Sequence, residues 1–311
     1  MSNDLDAKLM VFVFSYNRGR ALQNCISTIV ALNPTLQIVV IDDNSDDRYT
    51  RHVLSIIDSA PNCKVVTRIN NCLLKKVGGL PANMDFAIEY ANKLGKKYVI
   101  FIQDDMQFVR SINSLDIDIF DEAFSRDISS MQIFTCFINS VNLKWTVKFG
   151  QQKIIPTIYR REHFDSGSGY KKFSAVGLFH VERTTQMVSS FKSEKLMNET
   201  FSTIEGDLLF YRFPFMHWTP FPESHRDRGK SFIHILLEKL SKSGVHPIRF
   251  IFEKSSSPKK RSLNEKGALP IAERNLISDT APFCFEWSTI GGRANLFRRL
   301  LLPGKKLFRI K

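Results

Sequence analysis

The sequence predicts an α/β fold: a doubly wound, mostly parallel sheet flanked by helices, with a basic helical C-terminal extension. Three observations point there. Tyr98-Val99-Ile100-Phe101-Ile102 is an unbroken run of aromatic and β-branched residues, the pattern of a strand buried on both faces. Leu9 to Phe14 and Ile38 to Ile41 repeat that pattern. Segments with helical spacing lie between these runs, and such alternation winds into a right-handed parallel sheet.

In order, the first strand spans Lys8 to Ser15 and breaks at Ser15-Tyr16-Asn17-Arg18-Gly19-Arg20. A helix follows with Leu22, Cys25, Ile26, Ile29 and Val30 on one face, and Asn33-Pro34 ends it. Gln37 to Ile41 is the second strand, Val53 to Ile57 lies on a second helix, and Lys64 to Ile69 is a third strand. Asn70 to Gly79 is a polar loop with Lys75, Lys76 and a Gly pair, and Asn83 to Leu94 is the helix leading into the 98–102 strand. Beyond Met106 the pattern loosens. A helix is expected over Ile117 to Phe124, a strand over Gln132 to Phe137, a hairpin over Trp145 to Tyr159, a buried strand over Ala175 to Val181, and a helix from Thr184 to about Lys195. Phe232 to Leu240 has an amphipathic helical pattern, and Ser255 to Arg261 reads as a linker.

Composition narrows the function classes. The chain has 311 residues, 43% hydrophobic and 24% charged, with no apolar run long enough to span a bilayer. The polar, acidic opening Met1-Ser2-Asn3-Asp4-Leu5-Asp6 is unlike a secretory signal. Five scattered cysteines lack metal-site spacing and read as reduced thiols, so a cytoplasmic protein is expected. The net charge of +13 is uneven: residues 226–311 hold 19 Lys+Arg against 7 Asp+Glu, whereas the first 225 are close to neutral. That asymmetry suggests a polyanionic partner for the tail.

Two of the buried strands end in adjacent carboxylates, Asp42-Asp43 and Asp104-Asp105. Parallel strands present their carboxyl ends at the edge where open α/β sheets bind ligands. Paired carboxylates repel, and a hard divalent cation carrying a diphosphate would relieve them. The alternative is an acidic turn that caps the next helix, and for Asp43, Asp46 and Asp47 the capping reading is the stronger one.

At this point the chain resembles the family-2 glycosyltransferases of GT-A fold. The likeness rests on Val11 to Arg18, on Ile38 to Asp47, on Gly79 to Asn83 leading to Phe101-Ile102-Gln103-Asp104-Asp105, and on Ala175 to Phe179 through Glu205-Gly206-Asp207-Leu208 to His225-Arg226-Asp227-Arg228-Gly229-Lys230-Ser231. It implies a GT-A glycosyltransferase domain over residues 1–230, with a nucleotide-binding half (1–107) and an acceptor half (108–230), followed by a basic extension over 231–311. It implies that Ser15, Asn17, Arg18, Asp42, Asp43, Asn83, Gln103, Asp104, Arg226 and Arg228 bind a nucleotide-sugar donor. Asp105 and His225 would hold a divalent metal, Mn²⁺ or Mg²⁺; His180 and His217 compete with His225 for that place. Glu205 would act as general base, with Asp207 as the second acid of its motif. Gln103 stands where the family has an Asp, so the contact there would be an amide. The implied reaction is an inverting transfer to a hydroxyl of a saccharide or lipid-linked acceptor, in the synthesis of a cell-surface polysaccharide.

Arg293 to Lys311 holds seven Lys/Arg and no acid among Leu and Phe residues. Such a stretch suits an anionic membrane surface and predicts a place at the inner face of the cell membrane; the alternative is a helix packed on the domain. Two rivals are weaker. A sugar-1-phosphate nucleotidyltransferase would open with a Gly-rich loop, and Ser15 to Arg20 has only Gly19. A nucleic-acid-binding protein would show a recognised module, and none is present, so no nucleic acid is expected as a partner.

Overall fold

In a computed structural model of the chain, the described residues are 3–68, 79–139, 150–161, 172–202, 207–219, 244–250, 269 and 271–280. Glu205, His225, Arg226, Arg228, Lys75, Lys76, the 232–240 helix, the 255–261 linker and the 293–311 tail lie outside them.

After a short helix α1 (Asn3–Lys8), the first half alternates as the apolar runs require: β1 (Leu9–Ser15), α2 (Gly19–Leu32), β2 (Ile38–Asp42), α3 (Arg48–Asp58), β3 (Cys63–Thr67), α4 (Leu80–Lys93) and β4 (Tyr98–Gln103). The second half holds β5 (Met106–Phe108), α5 (Ser114–Arg126), β6 (Gln132–Phe134), the hairpin β7 (Gln151–Ile155) and β8 (Ile158–Arg161), then β9 (Gly177–His180), α6 (Val181–Met187), α7 (Glu194–Ser202), β10 (Leu209–Tyr211) and β11 (Met216–Trp218). A small pair, β12 (Arg249–Phe250) and β13 (Leu276–Ile277), flanks α8 (Ala272–Asn275).

Nine strands form one sheet in the order β3-β2-β1-β4-β9-β6-β10-β8-β7. Strands β3, β2, β1 and β4 are mutually parallel, whereas β9, β8 and β7 run antiparallel to their neighbours. The sheet is therefore mixed, with a parallel half that carries the acidic strand ends. Both faces of β1, β2 and β4 are buried: Val11, Val13, Ile100 and Ile102 point into one apolar cluster with α2, α3 and α5, and Met10, Phe12, Phe14 and Phe101 into a second with α4. This is why those strands read as continuous apolar runs.

Two expectations change in the second half. The helix expected from Thr184 to about Lys195 is two helices, broken over residues 188–193. The strand expected over Gln132 to Phe137 stops at Phe134, and Cys136 instead bridges to Met216. The described parts of the C-terminal extension are docked on the domain. Ile248, Ala272 and Leu276 pack with Val109 and Phe137, while Leu269 and Ile271 pack with Ile138, Tyr159 and Phe210. The buried Gln107 side chain donates to the Ile248 carbonyl (2.6 Å) and accepts from its N–H (2.9 Å), pairing as a backbone would.

Candidate active site

The register brings the acidic strand ends together. Ser15, the last residue of β1, is level with Asp42 on β2, and Phe14 is level with Gln103 on β4. Adjacent strands lie about 4.8 Å apart, so both acidic tips open on one edge with β1 between them. A cavity of about 190 Å³ sits there, lined by residues that include Ser15, Arg18, Asp43, Asn83, Asp104 and Asp105, with Tyr16 and Gln103 also in its wall.

Arg18 dominates this cavity. It stands between β1 and α2 at the N-cap position, makes no side-chain cap, and reaches across to β4. Its Nη1 donates to Asp105 Oδ2 at 2.9 Å and to Asp104 Oδ1 at 3.3 Å, and the Tyr16 N–H donates to Asp104 Oδ2 at 3.1 Å. Burial works against the Arg18 charge, but the two carboxylates outweigh it and its pKa is raised. Burial likewise pushes Asp104 up to about 6; Arg18 pulls it down and Asp105 adds to the rise. Two buried polar atoms here have no hydrogen-bond partner among the described residues: Asp105 Oδ1 and Arg18 Nε. One is an acceptor and the other a donor. The Ser15 hydroxyl also has no hydrogen-bond partner among the described residues.

The neighbouring acids divide their work by orientation. Asp42 is buried and absent from the cavity wall. Its carboxylate accepts from the Ser45 N–H (2.7 Å) and hydroxyl (2.5 Å), and burial raises its pKa against those bonds. Asp43 is in the wall, and its Oδ2 accepts from the Gly79 N–H at 2.7 Å where α4 begins. Asn17, with φ +50°, is also outside the wall. Its Nδ2 donates to Asp46 (2.7 Å) and its Oδ1 accepts from the Asp46 and Asp47 N–H groups, stapling the first strand-end turn to the second. Asp47 caps α3 through the Thr50 N–H. Asn17 and Asp42 thus shape the turns around the cavity and do not line its wall.

Asp207 is not brought to this cavity. Leu209 on β10 is level with Ile133, Leu178 and Ile100, and β10 runs parallel to β4. Two residues earlier, Asp207 lies level with the start of β4, at the opposite edge of the sheet, roughly 20 Å along the strands from the acidic pair. There it sits 3.8 Å from Arg160 and 3.6 Å from Lys172. The apolar residues Leu209 to Tyr211 enter the sheet and fix it there. His180 and His217 are core residues. Burial lowers His180 to about 4, between the Tyr98 and Phe124 rings, and His217 to about 3, beside Phe137 and Trp218. The chain passes the acidic pair again at Thr219, whose N–H donates to the Asp105 carbonyl at 2.9 Å.

A divalent cation is chemically compatible with this site. Hard cations take carboxylate oxygens, and Asp105 Oδ1 is buried without a partner. Among the described residues no group of three His, Cys, Asp or Glu could hold a metal, so further ligands would come from bound phosphate, water or residues elsewhere.

Residues 10–168 match the family model described as Glycosyl transferase family 2. No curated protein matches. Among solved structures, S. aureus TarS 1–349 aligns at 12% identity and TM-score 0.42, over 66% of this chain and 60% of that one. A mannosyltransferase from Pyrobaculum calidifontis, PcManGT in complex with GDP-Man and Mn²⁺, aligns at 13% identity and TM-score 0.38, over 65% and 54%. The chain thus spans less than two thirds of the length of these structures.

Proposed function

The chain belongs to glycosyl transferase family 2, and from that premise we propose that it moves a sugar from a nucleotide-sugar donor to a hydroxyl of a saccharide or lipid-linked acceptor. The observation that supports this most is the acidic pair at the end of β4, facing a single arginine in a cavity at the carboxyl edge of a parallel sheet. In this reading Asp43, Asn83, Ser15 and Gln103 line the nucleoside side, since their carboxylate, amide and hydroxyl groups match ring N–H and ribose O–H groups. Asp105, with Asp104 beside it, holds a divalent cation, and Arg18 faces the diphosphate. The cation, when bound, neutralises charge on the departing phosphates. The chain's own part is to fix the donor and exclude water; charge stabilisation of this kind is commonly the largest catalytic term. His225, six residues past Thr219, is a proposed further ligand. The resemblance gives the base to Glu205; Asp207, at the far edge of the sheet, is given no part in the cleft. Location at an anionic membrane surface through the basic tail completes the proposal.

The test is a transfer assay across nucleotide sugars with and without Mn²⁺, in the parent protein and in Asp105→Ala. Cation-dependent transfer, lost by a factor of at least about 10² in the variant at unchanged melting temperature, supports it. Undiminished turnover in the variant refutes it.

A further inference from the structure

The acidic pair is already half-neutralised by a side chain from another element. Arg18 is only 18% exposed and spends one nitrogen, Nη1, on both carboxylates. The same guanidinium leaves its Nε–H buried and unsatisfied, and the same pair leaves Asp105 Oδ1 unsatisfied. Buried polar groups are rarely left without partners, and a donor and an acceptor orphaned on two residues that touch each other mark a ligand bearing both charges. A cation satisfies the acceptor and an anionic oxygen satisfies the donor. A nucleoside diphosphate chelating a divalent ion carries both.

Charge bookkeeping gives the order. With Arg18 in place the cluster carries −1; a lone divalent ion brings it to +1, next to a guanidinium held in a site of low dielectric, where like charges repel strongly. A diphosphate arriving with the ion removes that penalty and offers the planar guanidinium a bidentate partner. Arg18 sits in a turn rather than inside a helix, so its side chain can change partners without disturbing α2.

We infer that Arg18 is an exchangeable counter-ion: it holds Asp104 and Asp105 until ligands bind, opposes binding of a divalent cation alone, and swings its guanidinium onto the diphosphate when ion and nucleotide bind together. The inference rests on the function proposed above and adds to it a coupling between the two ligands, which by linkage is reciprocal.

The experiment is titration calorimetry, with Mn²⁺ electron paramagnetic resonance to count bound ion, on the parent, Arg18→Gln and Arg18→Lys. The probes are Mn²⁺ alone, and UDP and GDP each with Mn²⁺. Arg18→Gln is expected to bind Mn²⁺ alone about tenfold more tightly than the parent and the Mn²⁺–nucleotide about tenfold more weakly, a crossing of signs that general damage to the site does not produce. Arg18→Lys keeps the opposing charge, so Mn²⁺ alone stays as weak as in the parent while the nucleotide loses affinity; this variant carries the test if Arg18→Gln does not fold. Parent-like values for the nucleotide in both variants, or both probes shifting in the same direction in Arg18→Gln, overturn the exchange while leaving the proposed function standing. Failure of the parent to bind either nucleotide with Mn²⁺ overturns both.

Discussion

At the scale of residues, the site shows how adjacent carboxylates acquire different tasks. Asp42 is the last residue of β2 and Asp43 the first beyond it, and their side chains take different directions. Asp42 turns into its own loop against Ser45, and Asp43 turns to the cavity. The sequence motif names both residues and cannot say which faces the ligand, because that depends on the register of β2 against β1. The two buried histidines carry a prediction of their own. His180 and His217 are held below their ordinary value of 6.5, at about 4 and about 3, because burial disfavours the charged ring. The unfolded chain therefore takes up protons that the folded chain does not. Their contribution to stability is complete above about pH 6.5 and is lost as the pH falls towards 4, at up to about 1.4 kcal/mol per pH unit for each histidine. Melting temperature followed from pH 7 to 4 should fall, and fall less steeply in His180→Phe; an equal slope in that variant removes the assignment.

Among the elements, the parallel half was legible because β1, β2 and β4 are apolar and covered on both faces. The other half was less so. Strands β5, β6 and β10 have three residues each, too few to show a period, and their pairings join segments at least 45 residues apart. That Asp207 lies at the far edge follows from one such pairing, so the motif order along the chain could not reveal it. The β1–α2 turn is the part most dependent on close packing. A Cβ on Gly19 would lie 2.9 Å from the Thr50 backbone and 2.7 Å from the Tyr49 ring, where α2 meets α3. Gly19 is also bonded there, its N–H donating to the Thr50 hydroxyl at 2.8 Å. Gly19→Ala should therefore cost about 1–3 kcal/mol, read as a lower urea midpoint with an unchanged slope. A midpoint equal to the parent's would show that α2 and α3 separate without cost. Because Arg18 precedes this glycine, the same packing sets where its guanidinium starts from.

For the whole molecule, the charge map and the fold divide the chain differently. Charge sets residues 226–311 apart from the rest, yet 244–250 and 271–277 pack into the domain, and Gln107 ties Ile248 to the strand that follows Asp105. An apolar cluster formed by residues more than 100 positions apart leaves no local mark in the sequence, whereas a run of Lys and Arg does. The 293–311 stretch, with seven Lys/Arg and no acid, is the part proposed to meet an anionic surface. Among the described residues no helix is long and apolar enough to cross a membrane. Flotation with phosphatidylserine vesicles should retain the full chain and lose most binding when the protein stops at Gly292, at about 1 kcal/mol for each basic residue removed near the lipid. Equal flotation of the two proteins would remove the tail from the account.

The central claim is that the carboxyl edge between β1 and β4 takes a nucleotide through a divalent ion held by Asp105. Anomalous diffraction from crystals soaked with Mn²⁺ and a nucleoside diphosphate tests it most directly. One manganese peak is expected at coordination distance from an Asp105 carboxylate oxygen, with the diphosphate beside Arg18. A nucleotide bound at another edge of the sheet, or a manganese peak away from Asp105, would contradict it.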